Sequence, residues 1–329
     1  MSKAVDMNVQ LDFHNEWEKI SQRDVYVKVL DELMAEDRDV VSLDADLMHA
    51  VNSQDLRKKY PDRAINMGIA EANMTGFAAG LAYTGKKPYI HSFGPFVTRR
   101  ALDQLFVAGA FGQNSIRVYG SDPGICSEYN GGTHTAFEDI AMMRAIPNTT
   151  VLDITDAVMF DNLLRQMKNM TGLVYFRTSR ASVKKIYTTG SSFTVGKGNV
   201  LIDGADVTIV ASDILVAEAL LAAEELGKQG ISAAVIDMFT IKPLDKELIV
   251  KYAEKTGAFV TADNHNISGG LGDAVASVLC EACPAPLRKL GIIDEFGEVG
   301  SLEYLQKRFA LNAAEITKKV HEVLKVKKS

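Results

Sequence analysis

An α/β fold of two doubly wound domains with mainly parallel sheets is predicted by three observations. Short β-rich runs alternate with helical stretches along most of the chain. Their spacing suits crossover units that cover a parallel sheet on both faces. The pattern then restarts after a polar, glycine-containing stretch between residues 181 and 206.

In the first domain, residues 1–190, strand 40–43 is followed by a short helix, 53–60. An apolar helix, 71–82, leads to strand 88–92, and helix 99–111 to strand 116–119. Helix 136–145 precedes strand 150–154, and helix 157–170 precedes strand 173–177. Residues 191–202 read as a linker with a short hairpin. The second domain, 191–329, continues with strand 207–211, helix 214–230 and strand 232–237. Helix 246–255, strand 258–262 and helix 272–280 follow, then strand 287–293 and helix 314–326. No short-period repeat is visible.

Composition excludes several classes. Apolar residues make up 47% and charged residues 24%, ordinary for a globular protein with a large core. A net charge of -6 carries no signature of nucleic-acid or membrane binding. The basic segment 318–328 reads as a helix with a solvated face. No apolar run has membrane-spanning length and no signal-peptide pattern opens the chain, so a cytoplasmic protein is expected. Cys126, Cys280 and Cys283 form no disulfide framework, and a lone C-x-x-C that closes a helix before Pro284 reads as packing. No metal-ligand set is predicted in this chain.

Glu71 is the residue most at odds with its surroundings. From Ile65 to Ala82 nearly every residue is apolar or tiny, so a buried element is expected. A buried carboxylate must be protonated or paired. A raised pKa would suit a group that shares a proton with a ligand nitrogen; a helix N-terminal carboxylate satisfied by the dipole is the plainer alternative. Two further clusters fall where loops leave the carboxyl ends of strands. In Ser92-Phe93-Gly94-Pro95-Phe96, two aromatics three apart offer a stacking face. Arg99 and Arg100 follow, as surface ion pairs or anion ligands. In Asn130-Gly131-Gly132-Thr133-His134, the spacing Thr135-x-x-Glu138 predicts a capping box and a helix start. His134 would then feel the positive end of the helix dipole, stay neutral, and serve a substrate hydroxyl. Gly269-Gly270-Leu271-Gly272 fails the dinucleotide pattern and reads as a tight turn with close helix packing. No P-loop, zincin or nucleophile-elbow motif is present.

The ordered set resembles the C-terminal half of transketolase and related thiamine-diphosphate enzymes. It comprises Leu43-Asp44-Ala45-Asp46-Leu47, Gly68-Ile69-Ala70-Glu71, Phe93-x-x-Phe96 and Gly132-Thr133-His134. It continues with Arg144-Ala145-Ile146-Pro147-Asn148, Ser179-Arg180, and His265 with the Gly269–Gly272 run. The resemblance implies a pyrimidine-binding domain followed by the family's C-terminal domain. Glu71 would hydrogen-bond N1′ of the cofactor's aminopyrimidine and, through the 4′-imino tautomer, activate the thiazolium carbon. Phe96, with Phe93, would form the platform under the pyrimidine, and Asp46 would stand near the cofactor. His134 would touch hydroxyls at the donor's reacting end, and Arg180 the distal anion.

The resemblance also implies what another chain supplies. The family binds Mg²⁺ and diphosphate through a Gly-Asp-Gly motif in a domain placed before this one, and no Gly-Asp-Gly occurs here. The expectation is one subunit of a split transketolase with a separate diphosphate-binding partner, as an α2β2 assembly, moving a two-carbon ketol unit from a ketose to an aldose. Departures concern the sugar. Asn130 replaces an Asp that reads a hydroxyl, a His near Ser121 and a Ser near Ala50 are missing, and Arg180 survives with Arg99 or Arg100 as candidates to compensate. A ketose with a different terminal anion, or none, is therefore expected. The β subunit of a 2-oxoacid dehydrogenase shares the same plan, and a non-catalytic α/β binding subunit is the alternative from another class.

Overall fold

The computed structural model describes residues 9–327. Its first sheet is built from β1 (Val40–Asp44), β2 (Ala64–Asn66), β3 (Lys87–Phe93), β4 (Ile116–Ser121), β5 (Thr149–Asp153) and β6 (Leu173–Thr178). Connecting helices are α1 (Gln22–Glu36), α2 (Gln54–Lys59), α3 (Glu71–Tyr83), α4 (Gly94–Arg99), α5 (Leu102–Gln104), α6 (Asp139–Ala145) and α7 (Ala157–Met167). The second sheet holds β7 (Asn199–Ile202), β8 (Val207–Ala211), β9 (Ala233–Asp237), β11 (Phe259–Asn266) and β12 (Leu287–Ile292), while β10 (Thr240–Lys242) joins the first. Around the second sheet lie α8 (Leu215–Lys228), α9 (Lys246–Thr256), α10 (Leu271–Ala282), α11 (Leu302–Arg308) and α12 (Ala313–Lys327).

Strand order is β10-β5-β6-β4-β3-β1-β2 in one sheet and β12-β11-β8-β9-β7 in the other. Every pair is parallel except the edge strands β10 and β7, which run antiparallel to β5 and β9. Successive residues feed opposite faces: Tyr89 belongs to the core cluster that holds Val29, Leu33 and Phe160, whereas Ile90 belongs to the cluster that holds Met74, Val97 and Ile140. The chain leaves β1 toward β2 and leaves β3 toward β4 in the opposite direction. That reversal opens a crevice at the carboxyl ends of β1 and β3, the place where open α/β sheets take ligands.

The two sheets are locked by a buried ion network. The Arg177 guanidinium donates twice to Asp153, at 2.8 and 3.0 Å, and once to Asp139 at 3.0 Å, all three side chains being fully buried. From the second sheet, Ser212 donates to Asp153 at 2.7 Å and the Asn264 carbonyl accepts from Arg177 at 3.3 Å. Tyr175 completes Asp139 at 2.6 Å.

The α/β architecture with mostly parallel sheets agrees with the sequence reading, and the departures have physical causes. Helix α1, absent from the sequence reading, is capped by Ser21 and buries Val25, Tyr26, Val29, Leu30, Leu33 and Met34. The expected helix 99–111 is broken into α4, α5 and a π-helical turn, Leu105–Phe111. No hairpin forms within residues 191–202; β7 pairs with β9 instead. Thr135 and Glu138 make no capping box. The Thr135 hydroxyl donates to the Gly131 carbonyl at 3.0 Å, and α6 begins only at Asp139. Helix α3 is not buried all round: Met74, Thr75, Ala78 and Ala79 face the core, but Phe77 and Tyr83 are exposed.

Two outcomes follow from this burial. Arg177→Leu leaves Asp139 and Asp153 without their counter-charge and is expected to lower unfolding free energy by about 3–5 kcal/mol in urea denaturation. Burial also pushes the Asp237 carboxyl up from 3.8 to about 7, against donations from Tyr187 and Thr155. The native chain then keeps a proton that the unfolded chain releases, so this group's contribution to stability falls as pH rises from about 4 to about 7. Asp237→Asn, which imitates the protonated form, is expected to flatten the stability curve across that window; an unchanged slope contradicts the assignment.

Candidate active site

The crevice gathers residues from separate strand ends into one continuous contact chain. Glu71 is the first residue of α3, so its carboxylate sits at the positive end of the helix dipole while remaining only 1% exposed. It is paired: Arg100 donates to both carboxylate oxygens, at 3.0 and 2.9 Å, and Ser92 donates at 3.2 Å. Pairing is thus the route by which burial of this group is compensated. The same guanidinium lies over the Phe96 ring, 4.3 Å from its centroid. Phe96, Phe93 and His134 then form a triangle of edge-on contacts, with centroids 6.1, 5.7 and 5.0 Å apart. Arg180 covers the other end, its guanidinium 4.7 Å from the Phe93 centroid.

His134 lies in a turn, and the first helix residue after it is Asp139, so the dipole is not what depresses its basicity. Its pKa is lowered by burial first, then by the charges of Arg100 and Arg180. Burial and the two neighbouring guanidiniums, rather than the helix dipole, disfavour its protonation. Thr133 Oγ1 sits 3.0 Å from Nδ1, which leaves Nε2 without a hydrogen-bond partner among the described residues.

Arg180 borders an open cleft of about 310 Å³ that Asn130, Asp122, Ser127, Glu128 and Arg23 also line. Asp122, fully buried and with φ of 54°, accepts from both the Arg180 backbone amide and its Nε. Burial pushes the Asp122 carboxyl up, and the Arg180 charge and hydrogen bonds oppose that rise. Arg23 and Arg180 converge on one acceptor, the Ala50 carbonyl, at 3.4 and 3.3 Å. Two guanidiniums therefore flank the cleft.

The arginines expected to compensate in anion binding stand elsewhere. Arg100 is on Glu71, and Arg99 pairs with Glu138 at 3.0 Å and donates to the Thr133 carbonyl, bracing the His134 loop from outside. Arg23 escapes a sequence reading because it lies before the first strand, outside any motif. Asp46 is exposed at the end of β1, exchanging hydrogen bonds with Asn66 at 3.1 and 2.9 Å rather than joining the aromatic triangle. A second unforeseen support is the buried chain Asp44–His91–Ser121, with separations of 2.7 and 3.0 Å, which ties the ends of β1, β3 and β4 together. Its only advance signal is the presence of polar residues at the carboxyl ends of apolar strands. Gly270 caps α10 against Asp263, whose carboxylate accepts from the Leu271 amide at 2.8 Å, a packing role as the sequence suggested.

Chemically, a buried carboxylate facing a stacking ring suits a planar, nitrogen-bearing group, and the neighbouring cationic cleft suits a substrate with an anionic end. Comparison with known proteins agrees with an enzyme of this construction. Residues 18–185 match the family described as Transketolase, pyrimidine binding domain, and residues 196–316 match Transketolase, C-terminal domain. The chain is 48% identical over 301 residues to the 6-deoxy-6-sulfo-D-fructose transketolase subunit of Clostridium sp. (strain MSTE9), covering 92% of this chain and 94% of that one. It is 35% identical to one of the apulose-4-phosphate transketolase subunits of Phocaeicola vulgatus, covering 93% and 98%. A solved structure described as a split gene transketolase, inactive beta4 tetramer, superposes with a TM-score of 0.86 at 38% identity, covering 94% and 100%. The chain belongs to the transketolase family, as a transketolase-type subunit. That family implies dependence on thiamine diphosphate.

The Glu71 pair supplies a test independent of chemistry. Arg100 is 47% exposed, but its loss leaves Glu71, 1% exposed, with Ser92 as its side-chain donor, so Arg100→Leu is expected to cost about 3 kcal/mol in urea denaturation. A loss below about 1 kcal/mol would mean that the helix dipole and Ser92 suffice to hold the carboxylate.

Proposed function

We propose that this chain is one of two subunits of a transketolase that moves a two-carbon ketol unit from an anionic ketose to an aldose. The observation that carries the reading is the Arg100 guanidinium. A planar N–H donor stacks on Phe96 at 4.3 Å while hydrogen-bonding both oxygens of buried Glu71, which supports the fit of an aminopyrimidine in the same place. Thiamine diphosphate, when bound, supplies a thiazolium carbon that carries the two-carbon unit between sugars. Glu71 would hold the pyrimidine nitrogen, with Phe96 and Phe93 as its platform and Asp46 at the cofactor's margin. Arg100, half exposed, would withdraw into solvent as the ring takes its place.

His134 would bind hydroxyls at the reacting end of the donor through Nε2. Asn130, exposed at the rim of the cleft, would read a further hydroxyl. Arg180 and Arg23 would hold the distal anion. Their two positive charges are partly offset by Asp122 and Glu128 in the same cleft, a balance that suits a singly charged sulfonate better than a doubly charged phosphate. The 6-deoxy-6-sulfo-D-fructose transketolase relative supports that choice.

Magnesium and the diphosphate would be held by a separate subunit in an α2β2 assembly. Among the described residues no group of three or more His, Cys, Asp or Glu side chains is placed to hold a metal. The exposed apolar face formed by Phe77 and Tyr83 on α3 with Phe106, Val107 and Phe111 would offer the partner a surface on the helix that Glu71 begins. A division into pyrimidine-binding and C-terminal domains near residue 190 is consistent with the irregular stretch before β7. Work in the cytoplasm suits three free cysteines, and no helix among the described residues is long and apolar enough to cross a membrane.

With the partner subunit present, Glu71→Gln is expected to lower kcat by at least about 100-fold; full turnover in that variant rejects the proposal. Arg180→Leu and Arg23→Leu are each expected to lower donor kcat/KM about 10-fold or more for a 6-sulfonated ketose, with far smaller losses for an uncharged ketose. Equal losses for both donors would remove the anion from the assignment.

A further inference from the structure

The second half of the chain reaches the His134 loop at two points. Asn264, at the end of β11, plugs the turn 123–126: its side-chain carbonyl accepts from the Ile125 amide at 2.9 Å, and its amide donates to the Pro123 carbonyl at 3.0 Å. The loop's other end meets a strap, residues 293–300, that leaves β12 and crosses to the first half. There Gly297 lies against Thr135, and its carbonyl against Gly132, so closely that a Cβ on either glycine would overlap its neighbour. Val299 seals Gly131, where an added Cβ would fall 2.8 Å from Cγ2. The strap is held from behind by Arg308, which pairs with Glu295 and, at 3.3 Å, with Glu298; Tyr304 donates to Glu298.

Resting on the transketolase reading above, we infer that Gly297 is a positioning residue: the strap sets the height of loop 131–135 and so the place of His134 over Phe93 and Phe96. The argument is steric. A Cβ at position 297 would stand 2.6 Å from the Thr135 Cβ, against an ordinary carbon–carbon contact of about 3.5–4.0 Å. Strap and loop would have to part by roughly 1 Å. The Thr135 hydroxyl that donates to the Gly131 carbonyl shares the same contact, so the displacement passes directly into the turn carrying His134. The atoms that an added Cβ at position 297 would meet first all belong to Thr135, whereas Glu71, Phe96 and Arg100 lie on or just after α3 and α4, so cofactor contacts are expected to change less than the place of His134.

The test uses the assembled two-subunit enzyme. Gly297→Ala is expected to raise donor KM about 10-fold or more, with thiamine diphosphate affinity changed less than about 2-fold. Arg308→Gln, remote from the chemistry, is expected to act in the same direction more weakly, and Arg308→Lys to restore most of the loss. In a His134→Ala background, Gly297→Ala is expected to add nothing, since both changes act through one side chain. Wild-type donor KM in both Gly297→Ala and Arg308→Gln overturns the inference. So does a Gly297→Ala loss that is fully additive with His134→Ala, or that falls equally on cofactor affinity. Absence of ketol transfer in the wild-type assembly rejects the parent reading instead, which separates the two failures.

Discussion

A single buried guanidinium holds the architecture to its site. Arg177, at the carboxyl end of β6, is surrounded by carboxylates and carbonyls drawn from both sheets, and desolvation of so many charges is tolerable only while each has its partner. Because Asp139 opens α6 and Asp153 closes β5, the network fixes the helix that follows the His134 loop and the edge along which the second sheet docks. Asn264 contributes its carbonyl to Arg177 and its side chain to the 123–126 turn, so the same contact that joins the sheets also shapes the first bend of the loop that carries His134.

The site is built outward from that junction in layers of increasing exposure. Deepest are Asp44, His91 and Ser121, which bind the strand ends to one another. Above them come Glu71, Ser92 and Asp122, buried acceptors and donors that aim more exposed cations: Arg100 from Glu71, Arg180 from Asp122. The aromatic triangle separates the two cations, one lying over Phe96 and the other over Phe93. Charge is thus kept at the two ends of an apolar floor, with the buried carboxylate beside Phe96 set apart from the cationic cleft beside Phe93.

Helix α3 splits its apolar surface: Met74, Ala78 and Ala79 enter the core while Phe77 and Tyr83 point outward next to the π-helical turn. Because Glu71 begins the same helix, the exposed apolar face and the buried carboxylate belong to one element.

Much of the plan was legible along the chain. Alternating strands and helices, the oddity of Glu71, and the paired aromatics at a strand end all rest on local patterns, and local patterns survive folding. By itself the sequence predicted an α/β fold with mainly parallel sheets and placed Glu71, Phe93, Phe96 and His134 at the carboxyl ends of strands; Arg180 entered only through the family resemblance. Tertiary structure decided the partners. Arg23 sits beside Arg180 only because α1 packs across the sheet, and Arg100 turned to Glu71 rather than to the cleft. The expected capping box did not form: the Thr135 hydroxyl donates to the Gly131 carbonyl rather than accepting from the Glu138 amide, and Gly297 presses on it from a distant part of the chain. Hydrogen bonds and ion pairs are chosen by proximity in space, and proximity between distant segments is set by burial of the whole core, which no local window contains.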